Sequence, residues 1–136
     1  MKRTPADIAF SKCIRERTDW ICELCDRDFS HNKGQLECSH YFGRAARCIR
    51  FDPDNAFAHC NGCHRQIGAY PDEFYLHYLA VRGEGRLALL REKRAARVKI
   101  TKIEEKLIAK HFRQELKLME KERNKGTRGY LDFVGY

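Results

Sequence analysis

Cys22-Glu23-Leu24-Cys25 and, 34 residues further on, Cys60-Asn61-Gly62-Cys63 are the stretches that decide how this chain folds. Four thiolates held as two such pairs match tetrahedral zinc, because a two-residue gap lets both sulfurs of a tight turn face one ion at about 2.3 Å. The gap between the pairs exceeds that of a compact zinc ribbon, so the segment within it must fold into something of its own, such as a hairpin. The competing reading is a redox dithiol at Cys22 and Cys25 with the second pair incidental, but no βαβ pattern surrounds either pair. Cys13 and Cys48 read as small buried hydrophobes, whereas Cys38 lies close to the chemistry described below.

The compartment supports metal over disulfide. Residues 1–17 contain no apolar run of signal-peptide length, so the chain is expected in the cytoplasm, where thiols stay reduced. Seven cysteines, an odd number, also argue against a closed disulfide framework. No apolar stretch approaches the roughly 20 residues of a membrane span, so no membrane partner is expected.

With 136 residues, 43% of them hydrophobic, one domain with a modest core is the default. The net charge of +8 favours a polyanionic partner, and nucleic acid leads that class. The excess is uneven: residues 71–136 carry 16 basic against 10 acidic side chains.

Around the cysteines the chain is punctuated by helix signals. Thr4 as N-cap, Pro5 and Asp7 open a helix that should end near Thr18–Asp19. Residues 20–69 read as short-period and loop-rich, with Gly34, Gly43, Pro53, Gly62 and Gly68 as breaks. A helix follows from Asp72, with Phe74, Leu76, Tyr78 and Leu79 as core candidates, and Arg82-Gly83-Glu84-Gly85 breaks it. Another is expected over 86–97, and Thr101 with Glu104 forms a capping-box pattern that opens a long helix to about Arg123. Its apolar line is Ile108, Phe112, Leu116 and Met119; this face either packs on the domain or pairs two copies in a homodimer. The organisation expected is a core over 1–80, a basic helical extension over 81–123, and a flexible tail over 124–136.

A second set of chemically capable residues lies between and just after the cysteine pairs. Glu37-Cys38-Ser39-His40-Tyr41-Phe42 is followed by Asn55 and then by His64, directly after Cys63. A histidine on a strand can deprotonate water, an asparagine can brace a loop, and a histidine on a helix can hold a divalent ion against a phosphate. His31, His59, His77 and His111 read as ordinary core or surface residues.

This run resembles the HNH/treble-clef endonucleases, most closely the lambdoid phage NinG (Rap) recombination endonuclease family. The matching pieces are Phe10 to Arg17, Cys22-x-x-Cys25, Glu37 to Phe42, Arg50-Phe51-Asp52-x-x-Asn55 and His59 to His64, within roughly residues 10–80. The resemblance implies an α+β, zinc-stapled treble-clef (ββα-metal) nuclease core with an N-terminal helix and C-terminal helices. It implies DNA phosphodiester hydrolysis, on branched recombination intermediates such as Holliday junctions and displacement loops, with Mg²⁺ or Mn²⁺ as catalytic ion and Zn²⁺ as structural ion. Carried over by position, His40 is the general base, Asn55 the bracing residue and His64 a ligand of the catalytic ion. Arg44, Arg47 and Arg50 would face phosphate.

One departure stands out: many HNH enzymes carry Asp directly before the base histidine, and here the residue is Ser39. Glu37 is the nearest carboxylate; on a regular strand it points away from His40, and a bulge at Cys38–Ser39 would be needed to bring it round. Asp52, Asp54 and His40 itself are further ligand candidates. A non-catalytic zinc-finger nucleic-acid-binding or adaptor protein is the alternative. Further DNA contacts are expected from Arg65, from Arg94 and Arg97 on the second basic helix, and from a stripe on the long helix that begins Lys102, Lys106, Lys110.

Overall fold

The computed structural model describes residues 1–136 as five helices and one two-stranded antiparallel sheet, an α+β arrangement. Helix α1 (Pro5–Arg17) starts where its caps require. The Thr4 hydroxyl accepts the Asp7 N–H at 3.3 Å while the Asp7 carboxylate accepts the Thr4 N–H at 2.7 Å, a reciprocal capping box with Pro5 at the first helical position.

Strands β1 (Leu36–His40) and β2 (Ala56–Cys60) form the hairpin that the long gap between cysteine pairs demanded. The register is unbroken from Leu36 opposite Cys60 to His40 opposite Ala56, so there is no bulge at Cys38–Ser39. Every residue of β2 is buried, because both faces of the hairpin are covered. Ala56, Ala58 and Cys60 join a core with Phe10, Cys13 and Ile14 of α1. Phe57 joins a second core, on the opposite face, with Ile67, Phe74, Tyr78, Leu87 and Leu90. These come from α2 (Asn61–Ala69), α3 (Pro71–Val81) and α4 (Glu84–Ala96). One edge of β1 has no strand partner.

Helix α2 is longer than the loop-rich reading of residues 20–69 suggests. Ile67 is its only buried residue, so the segment has no apolar stripe to betray nine residues of helix. The break between α3 and α4 falls at Gly83, whose φ of 86° suits glycine, and α4 begins two residues earlier than Arg86.

Two parts of the expected organisation are corrected. The boundary at residue 80 is one: helix α5 (Lys102–Asn124) packs on the core, as its apolar line allowed, and Ile108, Ala109, Phe112 and Met119 belong to the same core as α1 and the hairpin, so residues 1–80 do not close a core alone. The tail after Asn124 is irregular but anchored. Phe133 is buried edge-on against Phe112, the Leu131 N–H donates to Arg17 O at 2.8 Å, and the Val134 N–H donates to Glu115 at 2.7 Å. No helix is long and apolar enough to cross a membrane.

Candidate active site and metal centre

The sulfurs of Cys22, Cys25, Cys60 and Cys63 lie within 4.8 Å of one another, with Cys25 and Cys60 at 3.9 Å. Four thiolates around an ion at about 2.3 Å would stand about 3.8 Å apart, so this cluster could hold a metal ion such as zinc. The first pair sits in a turn closed by the Asp26 N–H donating to Cys22 O at 2.9 Å, with Asp26 at a φ of 61°. The second pair straddles a junction: Cys60 ends β2 and Cys63 lies in the first turn of α2. The Cys60 N–H donates to the Cys22 sulfur at 3.3 Å, which ties the two pairs together. Burial raises the Cys22 and Cys63 thiols. Burial acts the same way on Cys60, but the Cys63 N–H and the neighbouring thiols outweigh it and hold Cys60 below its ordinary value.

One helical step beyond Cys63, His64 points toward a different place. At the free edge of β1 lies a polar cavity of about 600 Å³, and Glu37, His40, Arg44 and His64 all line it. Glu37 and His40 point to opposite faces of the strand, as the period of two requires, yet both reach the cavity because it wraps around an edge with no neighbour. Glu37 needs no bulge to meet a histidine: α2 packs on its side of the hairpin, and Glu37 Oε1 stands 3.3 Å from His64 Nδ1. Both side chains are well exposed, so ligands can exchange there.

His40 lies over Phe10, and its Nε2 stands 3.0 Å from Arg50 O. A carbonyl can only accept, so Nε2 carries the proton and Nδ1 is left as the basic nitrogen. Burial lowers the His40 pKa, which keeps the ring neutral near pH 7. Asn55 is fully buried and holds the loop between the strands from three sides. Its Oδ1 accepts the Phe42 N–H at 2.8 Å, and its Nδ2 donates to Phe42 O at 2.9 Å and to Ile49 O at 3.2 Å.

The arginines divide. Arg44 is partly exposed on the cavity wall, 3.7 Å from Asp7, and donates to Met1 O. Arg47 and Arg65 are exposed, and Arg65 borders a neighbouring depression with His64. Arg50 is a correction: it is only 7% exposed and its guanidinium grips the Asp7 carboxylate, with Nε donating to Oδ1 at 2.8 Å, so it braces the site from within and faces no phosphate. Asp52 and Asp54 are also corrected as ligand candidates. Asp52 accepts the Asp54 N–H and pairs with Lys93, Asp54 pairs with Arg86, and neither lines the cavity. Arg94 stacks over Phe42 at 4.5 Å, and Arg97 takes the left-handed cap of α4. Lys102, Lys106 and Lys110 are exposed on α5.

Ser39 is 1% exposed and its Oγ has no hydrogen-bond partner, so this position contributes no ligand of its own. Cys38 lines the cavity, with its thiol pushed up to about 12 by burial. Cys13 is buried as expected, with its thiol 3.2 Å from Phe112 O, and Cys48 is half-buried beside the second core. His59 is fully buried, stacked on Phe57, with its Nε2 2.9 Å from that of His77.

The other wall of the cavity was not foreseen. Arg3, Asp7, Ser11 and Arg15 recur at four-residue spacing along α1 and its approach, one face of a helix laid beside β1. Their four-residue spacing is visible in the sequence, where Asp7 reads as a charge that complements the helix dipole. No family model, curated protein or solved structure matches this chain.

Proposed function

We propose that this chain is a metal-dependent DNA endonuclease of the HNH kind, a treble clef stapled by zinc at the four cysteines. The observation that carries the reading is one cavity at a strand edge that gathers His40, Glu37, His64 and Arg44 beside the cysteine cluster. Chain order, strand, braced loop and helix all fit that class, and Asn55 occupies the bracing position with three hydrogen bonds.

Glu37 and His64 are the residues that would hold a divalent ion, Mg²⁺ or Mn²⁺, and a carboxylate with an imidazole suits such an ion. Bound there, the ion supplies charge neutralisation at the scissile phosphate and at the leaving oxygen. His40 Nδ1 takes a proton from water, the water oxygen forms a bond to phosphorus, and the bond from phosphorus to the 3′ oxygen breaks. Arg44 offers its guanidinium to a non-bridging phosphate oxygen. Branched recombination intermediates are the substrates we favour within this class.

A non-catalytic zinc-finger binding protein is the second reading, favoured by one observation: Ser39, buried and without a carboxylate, stands directly before His40. Incubation of four-way junction, duplex and single-stranded DNA with Mg²⁺ or Mn²⁺ separates the two. The wild type should nick at least one of them only when the ion is present, and His40→Ala should lower the rate by about 10²–10⁴ while keeping fold and zinc. A wild type that never cuts leaves the binding-protein reading standing; a His40→Ala variant that cuts normally removes His40 as base.

A further inference from the structure

The cavity at the edge of β1 is part of something longer. At one end it runs into a depression of about 620 Å³ with which it shares Gly34, Glu37 and His64, and which adds Arg65. From the same end, where Gly34 follows Lys33 and Arg15 reaches Leu36 O, it also runs into one of about 570 Å³ with which it shares Arg15, and which adds Lys12, Lys33 and Arg128. All three are polar; Glu37 and His64 lie where the cavity meets the first depression, and His40 lines the cavity at the far end of β1.

The charges along this groove are built, not scattered. The Arg15 guanidinium and the Lys33 ammonium lie 4.9 Å and 4.7 Å from the centroid of the Trp20 ring, so one indole seats both cations. Trp20 sits in a turn where it and Asp19 both have positive φ, 63° and 56°, a conformation that costs of order 1 kcal/mol or more for such residues. Most of the acidic groups nearby are already neutralised: Asp7 by Arg50 and Arg44, Glu16 by Arg123, and Asp19 by Arg123 and by the exposed Arg128. Glu120 has no ion pair, and Glu37 has only His64 as a partner. From Asp7 to Arg15 the helix rises about 12 Å, the length of three to four steps of a DNA strand at about 3.4 Å each.

We propose that this groove is the track of a DNA strand that leads into the cavity, with phosphates held by Lys12, Arg15, Lys33 and Arg128 in one of the two depressions and by Arg65 in the other. The nuclease reading says what happens in the cavity; binding along the track requires no cleavage. The lysines at the start of α5, to which sequence alone points, line none of the three depressions. They stand on the face of α5 turned away from Ile108, Phe112 and Met119, which pack against α1.

The test is DNA binding by the full, zinc-loaded chain without added Mg²⁺ or Mn²⁺, followed by fluorescence anisotropy over roughly 50 to 200 mM salt. Lys12→Gln/Lys33→Gln should weaken binding about tenfold at the low end and flatten the slope of log K against log salt by about 1.8, two phosphate contacts at about 0.9 each. Lys102→Gln/Lys106→Gln/Lys110→Gln should stay within about twofold of wild type. Trp20 is the only tryptophan, so its emission should also change on titration of the wild type with DNA. The proposal is overturned if the α5 variant loses as much affinity as the groove variant or more. It is equally overturned if wild type binds DNA with unchanged Trp20 emission, or shows no salt-dependent binding. Binding that follows the groove without any cutting would reject the nuclease reading alone, and cutting that depends on α5 would reject the track alone.

Discussion

The four-cysteine cluster and the cavity at the edge of β1 use the same hairpin and the same helix, and Cys63 and His64 are neighbours in the chain. They are nonetheless built on different rules. The cluster gathers four identical ligands, two of them buried, and every sulfur lies within reach of one ion. The cavity gathers unlike groups, a carboxylate, two imidazoles and an arginine, and leaves Glu37 and His64 open to solvent. A site whose ligands close the coordination shell holds a fold together, whereas one that leaves positions open can admit water and a phosphate. One step along α2 turns the side chain by about 100° and carries it from the first kind of site to the second.

The largest effect should come from the closed site. Cys60→Ser removes one of the four thiols while keeping the backbone N–H that reaches the Cys22 sulfur, and in small zinc domains metal-binding energy is largely folding energy. The variant should lose cooperative unfolding and zinc together, read by circular dichroism and metal analysis. A zinc-free variant of native thermal stability would erase the distinction between the two sites.

Next comes the wall of the open site. Asp7 and Arg50 are both buried, so Asp7→Asn leaves a buried guanidinium without its counter-charge and should cost about 3–5 kcal/mol. Burial alone would raise the Asp7 carboxyl, but the Arg50 hydrogen bonds and charge outweigh it and hold the group below its ordinary value of 3.8. The ionised form is therefore the one that folding favours, and its contribution is complete above the unfolded pKa and lost as pH falls through the folded one. Chemical denaturation should give the same gap between wild type and variant from pH 8 to about pH 5. A gap that has already shrunk at pH 6 would mean that Asp7 is not held ionised.

What could be read from the chain divides along the same line. The cluster was legible because ligand type and spacing are local: two short pairs announce a metal before anything is folded. So were α1 and α5, whose caps and apolar positions lie within single segments, and α3 through Phe74 and Tyr78, although Leu76, expected in the core, is 64% exposed. Helix α2 was hidden because its buried face is a single Ile67, and the anchored tail was hidden because Phe133 finds its partner in Phe112, on a different element. The cavity was half legible. His40, Glu37 and His64 could be picked out, but that an unpaired strand edge lets opposite faces of β1 share one cavity is a tertiary fact. Arg50 shows the reverse error: an arginine in a basic loop was expected to meet phosphate, yet its partner Asp7 lies 43 residues away in sequence, and only the packed α1 brings them together.

The smallest effect sharpens the open site most. Glu37 is nearly half exposed, so Glu37→Gln should leave stability within about 0.5 kcal/mol. If Glu37 replaces the carboxylate that Ser39 does not provide, the variant should need about tenfold more Mg²⁺ or Mn²⁺ to reach half-maximal cutting, about 1.4 kcal/mol of ion binding, and should recover most of its rate once saturated. Asp52→Asn, whose side chain pairs with Lys93 away from the cavity, should leave the ion requirement unchanged. An unchanged requirement in Glu37→Gln would leave His64 and His40 as the ligand candidates among the cavity residues and would turn the 3.3 Å contact between Glu37 and His64 into a simple orienting hydrogen bond. Because Glu37 and His64 are exposed and do not hold the fold, a change in ion requirement at constant stability is the signature that would separate them from the cluster one residue away.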